Sequence, residues 1–292
     1  MNLGFVGLGI MGRPMALNLI KGGHALRVHG RRPESMLPLE QAGAMACASA
    51  ADAARGAQVT FTMVSDTPDV EQVVLGPGGV AEGAQPGSVV VDMSTISPVA
   101  TRSMAQRLTD RGVEMLDAPV SGGEMGAVSG TLSIMVGGKP EVFAHVKPLF
   151  ECMGKNIVLI GANGAGQVAK ACNQIVGAVV LEAVAEALTL ARKNGVDPGK
   201  VREALLGGFA WSRVLEVHGR RIVERDFKPG FKAKLHRKDL RIVTETAAQL
   251  GIGLPQSALI AQHLNALVGI GCGEEDSAAV AKVIEMLSGL QL

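Results

Sequence analysis

Aromatic side chains are nearly missing from this chain: its 292 residues include no Tyr, one Trp and seven Phe, 3% in all. That leaves few of the platforms on which the bases of a single-stranded nucleic acid stack. A charge of one sign is missing too, because 28 Lys and Arg stand against 27 Asp and Glu. Neither a polyanion nor a membrane surface is therefore an expected partner. The four cysteines, Cys47, Cys152, Cys172 and Cys272, have no C-x-x-C spacing, and the six His form no H-x-H or H-E-x-x-H pattern. The sequence predicts no metal site, and reduced thiols in a cytoplasmic compartment. A basic leader is absent before the first strand, so no signal peptide is expected. The longest apolar stretch, Ile175 to Ala191, carries Glu182 and Glu186 and reads as a buried helix rather than a membrane span. These absences leave a small molecule as the expected partner.

Glycine, by contrast, is plentiful, and at the N-terminus it is patterned. Gly7-Leu8-Gly9-Ile10-Met11-Gly12 follows an apolar strand, Leu3 to Val6, and opens a helix, Met11 to Ile20. This G-x-G-x-x-G arrangement suits a dinucleotide. Gly7 takes the tight turn, Gly9 leaves room for the pyrophosphate, Gly12 lets helix and strand approach, and the diphosphate meets the N–H groups of the helix start. The second strand, Ala25 to His29, ends where an NAD site carries an acidic residue for the ribose, yet here the chain reads Gly30-Arg31-Arg32. Two guanidiniums and no carboxylate favour a 2′-phosphate, so NADP(H) is the preferred cofactor, with NAD(H) second.

Strands and helices alternate to about residue 160, with β-branched runs at Val59–Val64 and Ser88–Met93 and later strands at Thr131–Val136 and Asn156–Ile160. The turn Met63-Val64-Ser65 closes one of these strands on the cofactor side. Ser97-Pro98 supplies an N-cap and a first-turn proline. Beyond Gly161-Ala162-Asn163-Gly164 the pattern is helical, starting with one very long helix from Ala165 to Lys193. The fold class expected is α/β: an N-terminal doubly wound, Rossmann-type parallel sheet over 1–161, and an all-α domain over 162–292 that includes the long helix. That helix and its apolar neighbours offer more apolar surface than one small domain needs, which predicts a homodimer or homotetramer.

Lys170, Asn173 and Gln174 fall at i, i+3 and i+4, on one helical face. An amine flanked by carboxamides on an apolar helix is either engaged in chemistry or a snorkelling lysine with two capping amides. Asp117-Ala118-Pro119-Val120-Ser121-Gly122-Gly123 ends a strand with a hydroxyl and successive bare N–H groups, which can hold a carboxylate as a backbone nest or form a plain turn. Ser94-Thr95 follows another strand, at the end where ligands of open α/β sheets bind.

Taken together these segments resemble the β-hydroxyacid dehydrogenase family. The resemblance runs from Gly7–Gly12 through Asp92-Met93-Ser94-Thr95, Asp117–Gly123 with Gly130-Thr131-Leu132, and Gly164-Ala165-Gly166 with Lys170–Gln174, to Lys238-Asp239-Leu240. It implies that Lys170 is the catalytic lysine and that Asn173 orients the substrate. Ser121, Gly122 and Gly123 would bind its carboxylate, and Thr95 and Lys238 would approach the nicotinamide. Gln174, Trp211 and Phe231 would line the substrate site. The run Phe227–Phe231 and Leu235–Leu240 is most similar to semialdehyde reductases within the family. Two departures stand out: Gly30 replaces the Asp of many members, and Trp211 stands where similar reductases have a small residue, so that it either narrows the pocket or packs.

Overall fold

The computed structural model describes residues 1–290. They form two compact units, Met1–Lys170 and a second one from Ala171 onward. Strands of the first unit are β1 (Asn2–Val6), β2 (Ala25–His29), β3 (Met45–Ala46), β4 (Val59–Thr62), β5 (Val89–Asp92), β6 (Glu114–Asp117), β7 (Val120–Ser121), β8 (Leu132–Gly137) and β9 (Gly154–Gly161). They make one sheet, in the order β3-β2-β1-β4-β5-β6-β8-β7 with β9 beside β8. The six strands from β3 to β6 are mutually parallel. Their direction of winding reverses between β1 and β4.

Both faces of this sheet are covered, which is why its central strands read as unbroken apolar runs rather than alternating ones. Along β5, Val89 and Val91 enter one core while Val90 enters the other. Phe5, Phe61 and Phe150 meet in the first core, with ring centroids 5.9 and 6.4 Å apart in sequence. Much of the chain's small aromatic content is thus concentrated at one point.

The sheet is not parallel throughout, as the sequence pattern had suggested. β8 runs antiparallel to β6 and to β7. The connector from Gly122 to Thr131 is shorter than the roughly dozen residues a parallel crossover takes. The chain therefore turns back through the short helix Gly123–Ser129. Parallel order resumes between β8 and β9, across the helix Pro140–Glu151.

The helix Ala165–Lys193 starts in the first unit and continues into the second. Among the described residues it is the one helix long and apolar enough to cross a membrane. In the second unit its residues Ala178, Leu181, Ala185 and Leu188 instead form a core with Leu240, Leu264 and Leu267. Five further α-helices complete that unit: Pro198–Leu206, Arg213–Glu224, Ala233–Leu250, Pro255–Gly269 and Val280–Leu287. Buried polar ties fix them. Glu285 accepts from Arg192 at 2.7 Å and from Arg225 at 2.7 and 2.8 Å, and Glu182 pairs with His263. Burial of polar groups requires such partners.

Candidate active site

The carboxyl ends of β1, β4 and β5 bring the nucleotide motifs together at the point where strand order reverses, the usual ligand crevice of an open α/β sheet. The three fingerprint glycines are there for different reasons. Gly7 has φ +97°, and a Cβ on it would lie 2.2 Å from the Met63 carbonyl oxygen. On Gly12 a Cβ would lie 1.9 Å from the Gly7 oxygen, so the helix Gly12–Lys21 could not approach its strand. Gly9 has open space where a Cβ would be, and no part of the chain requires glycine there. The space beside its backbone, at a helix N-terminus, fits a diphosphate. Leu8 is buried and holds the turn to the core, while Met11 is half-buried and Ile10 is exposed. Met63 N–H donates to the Val6 carbonyl at 2.9 Å, and Val64 N–H donates to Ser94 Oγ at 2.9 Å. Ser65 is exposed beside them and Thr95 is half-buried.

At the end of β2, Gly30 is buried, and a Cβ there would sit 2.5 Å from Ser35 Oγ, which itself donates to the Arg32 carbonyl. Any side chain at this position displaces that hydroxyl. Arg31 and Arg32 are extended into solvent, with side chains 85% and 76% exposed and acidic neighbours Asp69 and Glu34 at 3.9 and 3.8 Å.

Two buried carboxyls face each other across β5 and β6, where Asp92 and Asp117 are register partners. Asp92 Oδ1 accepts from Thr62 Oγ1 at 2.8 Å and from Ser94 N–H at 3.2 Å, while Oδ2 has no hydrogen-bond partner. Burial pushes the Asp92 carboxyl up to about 6, with the nearby Asp117 charge adding to the effect. Asp117 accepts from Gly164 N–H at 2.7 Å and Gln167 N–H at 3.0 Å, at the start of the long helix. Burial raises its pKa, against the pull of those backbone donors. Gln167 then reaches back: its Nε2 donates to the Ser94 carbonyl at 2.8 Å and its Oε1 accepts from Ile96 N–H at 3.1 Å. Lys170 lies three residues further along the helix and is buried.

Beyond β6, Ser121 is half-buried in β7, and Gly122 and Gly123 follow with φ of +133° and +61°. Left-handed backbone at two successive positions favours glycine. It leads into the first turn of a helix, whose leading N–H groups have no partner within that helix. Such a turn can receive a carboxylate.

In the second unit, Asn173 Nδ2 donates to Gln174 Oε1 at 2.8 Å, and Gln174 Nε2 donates to Asp239 Oδ2 at 2.6 Å. The other Asp239 oxygen holds Lys238 Nζ at 2.7 Å. Three predicted site residues are thus joined through Asp239, which the sequence pattern had offered only as part of a motif. Phe231 packs on His236 with centroids 5.5 Å apart. Its loop is pinned by buried Asp276, which accepts from Gly230 N–H at 2.9 Å and Phe231 N–H at 3.0 Å. Trp211 lies between two helices and is 58% exposed. Asp92, Asp117, Gln167, Asp239 and Asp276 were not singled out as site residues. The available signal was an Asp closing two apolar strands, Val-Val-Val-Asp92 and Glu-Met-Leu-Asp117.

Comparison with known proteins places both units. Residues 2–161 match the NAD-binding domain of 6-phosphogluconate dehydrogenase, and residues 164–284 match the NAD-binding domain of NADP-dependent 3-hydroxyisobutyrate dehydrogenase. The chain is 47% identical to a 2-hydroxy-3-oxopropionate reductase of Escherichia coli, over all of both chains. It is 38% identical to an NAD-dependent L-serine dehydrogenase of Pseudomonas aeruginosa, covering 98% of this chain and 99% of that one. Among solved structures, the 3-hydroxyisobutyrate dehydrogenase of Mycobacterium tuberculosis with L-serine superposes with a TM-score of 0.89 at 32% identity, covering 97% of this chain and 98% of that one.

The buried Asp92 carboxyl makes a test of stability against pH. Its folded pKa of about 6 lies above the ordinary aspartate value of 3.8, so its ionisation opposes folding as pH rises from about 4 to 6. Asp92→Asn keeps an acceptor for Thr62 and Ser94 and removes the charge. The variant is expected to lose this part of the pH dependence, gaining up to about 2–3 kcal/mol relative to wild type between pH 4 and pH 7.5. Urea denaturation at both pH values measures it. A difference between variant and wild type that is the same at both pH values would refute the assignment.

Proposed function

Since this chain belongs to the β-hydroxyacid dehydrogenase family and is an NAD(P)-dependent oxidoreductase of that family, we propose that it reduces 2-hydroxy-3-oxopropionate (tartronate semialdehyde) to glycerate with NADPH. The observation that carries the reading is the full-length identity to a reductase of that substrate, on a chain that retains Lys170, Ser121–Gly123 and the Asn173-Gln174-Asp239-Lys238 chain of contacts.

Bound NADPH supplies a hydride to the aldehyde carbon. The protein's part is to position the substrate and supply the proton. Gly122 and Gly123, with the Ser121 hydroxyl, receive the substrate carboxylate and so aim its carbonyl group. Lys170, an ammonium at neutral pH, donates a proton to the carbonyl oxygen as negative charge grows on it. Asn173 orients the substrate, held by its bond to Gln174. Asp239 holds the Lys238 amine, to which the family resemblance gives the nicotinamide. Phe231 and Trp211 line the substrate site. Arg31 and Arg32, exposed and with no carboxylate at Gly30, receive the 2′-phosphate. The scattered spacing of the four cysteines suits a reducing compartment such as the cytoplasm, which is the proposed location.

We further propose a homodimer or homotetramer. In the second unit the long helix leaves Cys172, Val176 and Leu190 exposed along one stripe, with Val179, Ala183 and the exposed Glu186 between them. Such a stripe suits a second copy. Sedimentation at micromolar concentration is expected to give a dimer or larger, and a monomer would refute this.

Lys170→Ala is expected to lower kcat for tartronate semialdehyde by about 10²–10⁴-fold with little change in NADPH affinity. Near-normal turnover by the folded variant would remove the catalytic role. Wild type run with NADPH against glyoxylate, succinic semialdehyde and methylmalonate semialdehyde, the aldehyde that corresponds to 3-hydroxyisobutyrate, tests the substrate, since another member of the panel with the highest kcat/KM replaces it.

Cofactor choice is tested separately. kcat/KM is expected to favour NADPH over NADH, and Arg31→Ala to reduce that preference by about one to two powers of ten, the loss of one charge-assisted phosphate contact of roughly 1.5–3 kcal/mol. A wild type that prefers NADH would overturn the assignment.

A further inference from the structure

Gln167 is almost completely buried and bonds to two separate segments of the first unit, the end of β6 and the turn after β5. Its backbone N–H donates to Asp117 Oδ2 at the end of β6. Its carboxamide spans the turn after β5, donating to the Ser94 carbonyl and accepting from Ile96 N–H, so that both ends of the group are used and Thr95 lies between the two points it holds. Lys170 follows three residues later, on the same face of the same helix. We infer that Gln167 is a positioning residue: its carboxamide sets the rotation of the lysine helix against the Ser94–Ile96 turn, and so the direction in which the Lys170 amine points.

The helix start does not depend on this carboxamide for its capping. Asp117 already accepts from Gly164 and Gln167 N–H. What the side chain adds is an attachment off the helix axis to a different segment, the Ser94–Ile96 turn, which braces the rotation that the Asp117 contacts alone set less closely. The lever is sensitive. At the ~5–6 Å outer radius of a helix with its side chains, a turn of about 10° moves a side-chain tip by about 1 Å. A misplacement of about 1 Å is worth roughly 10²-fold in rate. Glutamine suits the task because it presents a donor and an acceptor side by side to a carbonyl and an N–H of the same turn. A carboxylate would set a second acceptor against the Ser94 carbonyl.

The inference rests on the proposed role of Lys170, so one readout must not need turnover. Gln167→Met keeps length and burial but removes both bonds. In the cofactor-free protein, the Ile96 amide of this variant is expected to exchange hydrogen faster than in wild type. The rate of Lys170 acetylation by acetic anhydride should change several-fold relative to that of the surface residue Lys147. With cofactor and a semialdehyde, kcat should fall by about 10²-fold with NADPH affinity little altered. Gln167→Glu provides the rescue: burial and the facing Ser94 carbonyl hold its carboxyl above the ordinary carboxylate range, and once protonated it again donates to Ser94 and accepts from Ile96. Its kcat relative to wild type should come within a few-fold at about pH 5.5 and exceed that of the Met variant. A folded Met variant with wild-type kcat and unchanged Lys170 acetylation would overturn the inference. So would a Glu variant as impaired as the Met variant at about pH 5.5. Should the Met variant fail to fold, the Glu variant decides against wild type: a deficit at about pH 5.5 as large as at pH 8 overturns the inference. A wild type that turns over no semialdehyde would count against the proposed function, while the exchange and acetylation readouts would still decide the role of Gln167.

Discussion

The carboxylate of Asp117 is the contact on which the first unit's functional end depends. It is buried, yet it meets two backbone N–H groups at the beginning of the longest helix in the chain, where the helix dipole also favours negative charge. Close packing makes this possible. A Cβ on Gly166 would lie 2.4 Å from the Met135 oxygen, and one on Gly137 would lie 2.6 Å from Asp117 Oδ1. Helix and strand meet there at a separation only glycine allows. Everything the helix carries, Lys170 included, takes its starting point from that carboxylate.

The second unit solves a related problem with carboxylates of its own. Its polar residues are not scattered over the core but gathered on buried carboxylates, Asp239 and Asp276 beside Glu182 and Glu285. Asp239 gathers Gln174 and Lys238, and Asp276 gathers the backbone of the Phe231 loop with His218 at 3.3 Å. The donors around Asp276 outweigh the cost of its burial and hold its pKa down at about 2. A charge satisfied in this way fixes the loop across ordinary pH, since its stabilising effect is lost only as pH falls from about 4 toward 2.

Much of this was legible in the residues. The strand Ala25–His29 and the helix Ala165–Lys193 follow from their periodicity and bounding turns, and Ser97 does cap the helix that Pro98 begins. Strand direction was not legible in the same way. The Leu132–Gly137 run looks like its parallel neighbours, because alternation and β-branching do not encode direction; the length of its connector does. The family resemblance named Lys170, Ser121 and Lys238, but the residues that hold the site's elements in place stayed hidden. Asp92 and Asp117 become partners only through the register of β5 and β6. Gln167 reaches residues more than seventy positions earlier in the chain. Such roles are properties of the packed sheet, and no local pattern carries them.

Of the three glycines in the first turn, two serve the protein and one serves its visitor. A side chain at Gly7 or Gly12 collides with the chain's own backbone, whereas one at Gly9 would extend into open space. Folding and nucleotide capture are therefore separable at a single position. On the proposed cofactor position, filling the space at Gly9 would give a protein that folds normally but has no room for a diphosphate, a reference state in which the polar contacts of Asp92 and Gln167 could be observed without the cofactor's influence.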